Sequence, residues 1–141
     1  MTKDILKLNN QICFPLYAAS RQITKLYRPL LTKLGLTYPQ YLVLLVLFED
    51  ETVTVKALGE RLYLDSGTLT PLLKRMEEHG LVERKRCSED ERVVKVSLTK
   101  KGRGIEKQAE AIPNKFSKEI QLETEEAKEL KRLLTKILDQ V

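Results

Sequence analysis

The stretch from Leu64 to Met76 constrains the fold more than any other part of the chain. Leu69, Leu72, Leu73 and Met76 recur at the i, i+3, i+4, i+7 spacing that places side chains on one face of a helix. The other face carries Thr68, Thr70, Lys74 and Arg75, small hydroxyls and cations with nothing apolar among them. Gly80 ends the helix, because glycine adopts the left-handed conformation of a C-terminal cap at little cost. Residues 81–87 and 93–98 then alternate with period two around the polar Ser88, Glu89, Asp90 and Glu91, which predicts a β-hairpin. Helix, glycine stop and charged hairpin in this order are the pattern of a winged helix-turn-helix, and they predict a DNA-binding chain.

The whole-chain properties are consistent with that reading without requiring it. At 141 residues the chain is expected to be one domain, large enough to bury about two-thirds of its unfolded surface. A net charge of +5 favours an anionic partner, weakly on its own. The longest apolar run, 41–48, is too short to span a bilayer. Asn9, Asn10 and Gln11 interrupt any signal-peptide core, so a cytoplasmic location is expected. The two cysteines, Cys13 and Cys87, form no disulfide framework and stay free in a reducing compartment.

The flanking elements follow from the same rules. The first helix is expected to begin within the first dozen residues and to run to about Lys33. Ile5, Leu8, Ile12, Leu16, Ala19, Ile23, Leu26 and Leu30 form its seam, with a period of about 3.5 that favours packing against a second copy. Pro15 leaves two geometries open. Either the helix bends there, or it starts close by and Cys13 sits near an N-terminus, where the dipole favours a thiolate. Thr37 and Gln40 form a capping box with Pro39 in the first turn, opening a second helix to about Glu49. Its residues 41–48 are apolar all round and belong at the centre of the domain.

Thr52 to Thr54 predicts a short strand, and Thr54 caps a third helix with Val55, Leu58 and Leu62 inward. If Asp65 caps the next helix, Pro71 falls past its first turn, and an irregular or bent first turn is expected. Thr99 caps a fifth helix with Ile105, Ala109, Ile112, Phe116 and Ile120 on one face and a bend at Pro113. Thr124, followed by Glu125 and Glu126, opens a sixth helix carrying Leu130, Leu133, Leu134, Ile137 and Leu138. The expected fold is mostly α with a small β-wing. A winged helix-turn-helix at residues 37–98 binds DNA, and residues 1–36 and 99–141 form a helical dimerisation region, all within one compact domain.

Ser66, Thr68 and Thr70 are short polar groups near the helix start, suited to base edges, whereas Lys74 and Arg75 suit phosphates. Arg84, Lys85 and Arg86 lead into the hairpin. Asp90 and Arg92 lie two apart, on one side of an extended strand, so the carboxylate can orient the guanidinium toward a narrow minor groove. Singly, the helix face reads as solvated surface and the Asp90–Arg92 pair as a surface ion pair of little worth. Together they predict a DNA interface.

The run from Thr37 to Gly102, with residues 64–72, Asp90 to Arg92 and Leu98 to Gly102, resembles the MarR family. That resemblance implies a dimeric winged-helix regulator, usually a repressor, on a pseudo-palindromic operator in double-stranded DNA. It also implies that Ser66, Thr68, Thr70, Lys74 and Arg75 face DNA and that Arg92 enters the minor groove. Residues 10–14, Tyr17, 18–21, Tyr27 and 37–41 look like the OhrR branch, which senses organic hydroperoxides. By that resemblance Cys13 is the peroxide-reactive residue, hydrogen-bonded by Tyr27 and Tyr38 of the partner subunit, with Tyr17 nearby.

The chemistry agrees in part. Phenols donating to sulfur lower a thiol pKa, and the thiolate is the form that attacks a peroxide. The sulfenic acid formed can give a mixed disulfide with a low-molecular-weight thiol, condense to a sulfenamide, or be over-oxidised. A bulky product at a packed dimer seam shifts the spacing of the two recognition helices. Two-cysteine members of the branch carry a resolving cysteine in the C-terminal helices, and this chain has no cysteine after Cys87. Cys87 reads as a half-exposed hairpin residue.

Three rivals remain at this level, of which a dimeric scaffold that never binds DNA is disfavoured by the charged wing. A thiol peroxidase using Cys13 is disfavoured because the single histidine, His79, falls at the far end of the recognition helix. A MarR-type repressor released by a small aromatic anion would leave Cys13 incidental. The cysteines and His79 lack metal-ligand spacing, so no enzyme activity, metal or cofactor is expected. The expected partners are DNA, a second copy of the chain, an organic hydroperoxide and a small thiol, with no membrane.

Overall fold

The computed structural model describes every residue from Met1 to Val141. Its first helix starts later than the apolar seam predicts. Asp4–Leu6 and Leu8–Asn10 are single 3-10 turns, and α1 spans Cys13–Thr32. Side-chain amides hold the turns: Asn10 Nδ2 donates to the Asp4 carbonyl at 2.7 Å, and Gln11 Nε2 to the carbonyls of Ile5 and Lys7 at 2.9 Å each. Such bonds compete with helix formation. Pro15 then falls in the first turn of α1, where its missing donor is harmless, and Cys13 is the first helical residue. Pro29 lies inside the last turn without ending the helix.

Helix α2 (Tyr38–Asp50) is capped as expected. Thr37 Oγ1 accepts from the Gln40 N–H at 3.4 Å, and Gln40 Oε1 from the Thr37 N–H at 3.1 Å. Val43, Leu44 and Leu47 are fully buried, which makes α2 the centre of the core; of residues 41–48, Leu45 alone is exposed. Strand β1 (Thr52–Thr54) leads into α3 (Val55–Leu62), where the Ala57 N–H donates to Thr54 Oγ1 at 3.0 Å.

Helix α4 (Ser66–Glu78) begins at Asp65, whose Oδ1 accepts from the Thr68 N–H at 2.7 Å. It runs through Pro71 unbroken, so the expected irregular first turn is absent. The bond lost at Pro71 would have ended on the carbonyl of Gly67, which sits in an exposed terminal turn open to water. Leu69, Leu73 and Met76 are buried beneath it. Gly80, at φ 75°, closes the helix as a Schellman motif, with the Leu81 N–H on the Met76 carbonyl and the Gly80 N–H on that of Glu77, both 2.9 Å.

The hairpin is β2 (Val82–Arg86) and β3 (Val94–Leu98); β2 lacks Leu81 and Cys87 at its two ends and β3 lacks Val93, relative to what the alternation predicts. The sheet is antiparallel with order β1-β3-β2, and Arg84 faces Val96 while Lys85 faces Lys95. Helix α5 (Lys100–Ala109) opens at Thr99, whose Oγ1 accepts from the Gly102 N–H at 3.0 Å. The single bent helix expected beyond it is two helices. In a continuous helix the Pro113 ring would meet the Ala109 carbonyl, so the chain breaks at Glu110 and Ala111, and Pro113 enters the first turn of α6 (Ile112–Ile120). Helix α7 (Thr124–Leu138) follows, with the Glu123 N–H donating to Glu126 at 3.0 Å.

The chain packs as two compact units, Met1–Glu110 and Ala111–Val141. In the second unit Leu130, Leu133, Ile137 and Leu138 of α7 stay exposed, as do Ile12, Phe14, Leu16 and Tyr17 around the start of α1 in the first. No helix is long and apolar enough to cross a membrane.

Two glycines on α5 give opposite expectations. A Cβ at Gly102 would lie 2.3 Å from the Leu81 carbonyl oxygen and 2.7 Å from Leu98 Cδ1, whereas one at Gly104 meets nothing within 4 Å. In urea unfolding, Gly102→Ala should destabilise by about 1–3 kcal/mol through overpacking. Gly104→Ala should stabilise by about 0.5–1 kcal/mol, since alanine orders a helix at lower entropic cost.

Candidate nucleic-acid interface and redox site

Helix α4 presents Ser66, Thr68, Thr70, Lys74 and Arg75 outward, all exposed, while its apolar face is buried. The two faces are thus segregated as the spacing predicts. The backbone N–H of Thr68 holds the Asp65 carboxyl below its ordinary range, which keeps the cap charged at the helix N-terminus.

At the wing tip, Asp90 grips Arg92 through three hydrogen bonds. Asp90 Oδ1 accepts from the Arg92 backbone N–H at 3.0 Å and from Nε at 3.1 Å, and Oδ2 accepts from Nη2 at 3.2 Å. These bonds pull the Asp90 carboxyl below the usual carboxylate range, the guanidinium contributing most. The Arg92 side chain is nonetheless 90% exposed, so the clamp aims the cation without covering it. Arg86 Nη1 donates to the Glu91 carbonyl at 2.8 Å and so braces the same turn from the strand. Lys85 and Lys95, directly opposite and both exposed, form a like-charge pair that costs stability and concentrates positive charge on the wing.

Arg84 behaves differently from its neighbours. Its Nη2 donates to Glu77 Oε1 and its backbone N–H to Glu77 Oε2, both at 3.0 Å, tying β2 to the last turn of α4. Sequence reasoning misses this partner, because nothing local links residues in a helix and a strand. Between α3, α4 and the wing lies a groove of about 1010 Å³, lined by Leu69, Leu73 and Val93 and by Arg84, Arg86 and Arg92.

Cys13 is exposed at the head of α1. Tyr27 and Tyr38 stand together on α1 and α2 with ring centroids 4.7 Å apart. Tyr41, absent from the expected site, completes the cluster at 6.0 and 6.2 Å from the other two; its i+3 spacing from Tyr38 was the available signal. Burial, then the neighbouring phenols, pushes the Tyr27 pKa up to about 12, and burial raises Tyr38 and Tyr41 as well. At neutral pH all three are therefore un-ionised hydroxyls able to donate. Tyr17 lies under the Arg21 guanidinium, 5.5 Å from its ring centroid.

The structure does not bring Cys13 to these phenols within one protomer. Cys13 and Tyr27 are fourteen positions apart on one continuous helix, about 21 Å along its axis. Cys87 is half-exposed at the base of the wing turn, where the backbone N–H groups of Glu89 and Asp90 pull its thiol pKa down.

Comparison with known proteins agrees with this architecture. The family model of the transcriptional regulator SarA/Rot matches residues 25–109. The organic hydroperoxide resistance transcriptional regulator of Bacillus subtilis (strain 168) is 55% identical over 136 residues, covering 96% of this chain and 92% of that protein. The structure of reduced AbfR bound to DNA superimposes with a TM-score of 0.80 at 38% identity, covering 99% of this chain and 98% of that one. Disulfide-formed AbfR gives a TM-score of 0.68 at the same identity, covering 93% and 92%. With the segregated recognition helix, the clamped wing arginine and the cysteine at the head of α1, these relationships show that the chain belongs to the MarR family of winged-helix transcriptional regulators, in its organic hydroperoxide-responsive, OhrR-like branch.

Proposed function

We propose that this chain is a cytoplasmic, homodimeric repressor that binds a pseudo-palindromic operator and releases it when an organic hydroperoxide oxidises Cys13. The observation that carries the reading is the separation along α1. A thiol and a phenol at opposite ends of one rigid helix meet only if a second copy, related by a two-fold axis, lays its Tyr27 and Tyr38 against the first copy's Cys13. The exposed Ile12, Phe14, Leu16 and Tyr17 around that thiol, and the exposed stripe on α7, are the apolar surface such a copy would cover. Residues 1–36 and 99–141 would then form the dimerisation region and 37–98 the DNA-binding region.

On DNA, Ser66, Thr68 and Thr70 would meet base edges in the major groove, with Lys74, Arg75 and Arg86 on phosphates and Arg92, aimed by Asp90, in the minor groove. In oxidation the Cys13 thiolate attacks a peroxide oxygen. The O–O bond breaks, Cys13 becomes a sulfenic acid, and the departing alkoxide takes a proton to leave as the alcohol. A low-molecular-weight thiol can then replace the sulfenic hydroxyl, releasing water and leaving a mixed disulfide. The apolar side chains beside the thiol suit an organic peroxide. A second reading rests on the groove beside α4, whose apolar floor and three arginines would accept a small aromatic anion.

The deciding experiment is a gel shift on the duplex upstream of its own coding sequence. Wild type should bind and be released by cumene hydroperoxide, Cys13→Ser should bind and stay bound, and Cys87→Ser should be released like wild type. Release of Cys13→Ser by the peroxide would overturn the sensor assignment; release of wild type by benzoate alone would favour the second reading. Tyr27→Phe should slow oxidation of Cys13, followed by loss of free thiol, with DNA affinity unchanged. Arg92→Ala should weaken binding by roughly 1–3 kcal/mol in a titration at fixed salt.

A further inference from the structure

Arg84 opens the basic run at residues 84–86, yet its geometry sets it apart from Lys85 and Arg86. Strand β2 is the outer strand of the sheet, so its far edge has no strand partner. The Arg84 backbone N–H donates to Glu77 Oε2 at 3.0 Å, which places a carboxylate from α4 on that open edge at the middle of the strand. The same carboxylate accepts from the guanidinium through Oε1 at 3.0 Å. Two bonds from one side chain, one to main chain and one to side chain, fix a direction as well as a distance. The pair is also the least exposed of the ion pairs, with the Arg84 side chain at 26%, against 90% for Arg92.

Resting on the DNA-binding reading above, we propose that Glu77 and Arg84 are positioning residues. Together they lock the wing at a set angle to the recognition helix, so that Arg92 and the polar face of α4 engage DNA as one unit, and Arg84 itself contacts no phosphate. Glu77 is then an acidic residue that favours binding to a polyanion. Simple electrostatics gives the opposite sign: removing a carboxylate and freeing an arginine should tighten binding.

That difference in sign is the test. On the same upstream duplex, Glu77→Gln, Glu77→Ala and Arg84→Met should each weaken binding, the alanine and methionine variants by about tenfold. Glu77→Ala and Arg84→Met should change the slope of log affinity against log salt by the same amount, because both act only through the placement of the wing. The penalty of Arg92→Ala should shrink in the Glu77→Ala background, because a wing already out of place loses less. If Arg84 instead touches a phosphate, the Glu77 variants bind more tightly and Arg84→Met lowers the salt slope by about 0.9. Either result, or additive penalties with Arg92→Ala, overturns the proposal. Glu77→Gln, which keeps an acceptor for the Arg84 N–H, decides the sign should Glu77→Ala lower the thermal midpoint. Failure of wild type to bind the duplex with a steep salt slope would sink the DNA-binding reading itself. Normal wild-type binding with unchanged Glu77 and Arg84 variants would sink only this inference.

Discussion

Recognition helix, wing and α5 meet at one crowded junction, and the relative placement of every proposed DNA contact depends on it. Thr99 Oγ1 shares its proton between the carbonyls of Gly80 at 2.6 Å and Leu81 at 3.0 Å while accepting from the Gly102 N–H. The Thr99 N–H returns to the Leu81 carbonyl at 3.2 Å. The bare Cα of Gly102 is what lets that carbonyl approach α5. Neutral hydrogen bonds and a missing methyl group therefore root the wing, with the Lys101 ammonium donating to the His79 carbonyl at 2.7 Å beside them. The bridge from Glu77 to Arg84 attaches β2 to α4 a second time, further along the strand. One attachment leaves a strand free to swing, and two define its angle.

Most of the fold was legible because its signals are local. Thr37, Thr54, Asp65 and Thr99 each cap the helix that follows, and each could be read from a few neighbouring residues. The segregation of Leu69, Leu73 and Met76 from Thr68, Thr70 and Lys74 was legible for the same reason. What failed were contests between two local signals. The apolar seam from Ile5 argued for helix, and the amides of Asn10 and Gln11 won the backbone carbonyls instead. Pro113 was read as a bend where a full break with a new first turn satisfies the chain better. At the candidate site, Asp90 and Arg92 were legible at a separation of two residues. The tie from Arg84 to Glu77 was not, because it depends on how the hairpin folds back against α4.

In the proposed sensor, the helix that carries the thiol would also leave a single chain chemically incomplete. Helix α1 is long enough to keep Cys13 and Tyr27 apart and stiff enough to hold that separation. The three phenols pack together at the α1–α2 junction and remain un-ionised well above neutral pH, Tyr27 most strongly. In the proposed sensor these hydroxyls would serve the sulfur of a second copy, since their own chain places Cys13 at the far end of α1. In the proposed dimer each subunit would supply the sulfur of one site and the hydroxyls of the other, so the same two helices would carry both sites.

The clamp at the wing tip bears on selectivity as well as attraction. An unrestrained arginine carries about 2 kcal/mol of rotamer freedom and settles on whichever phosphate lies nearest, whatever the sequence. Arg92, held on two sides by Asp90, has given up much of that freedom before any nucleic acid arrives. It is rewarded where a groove of the right width comes to it, and it has little latitude to rescue a poorly matched duplex by reaching elsewhere. A carboxylate that repels DNA at long range would in this way narrow the set of sequences the wing accepts.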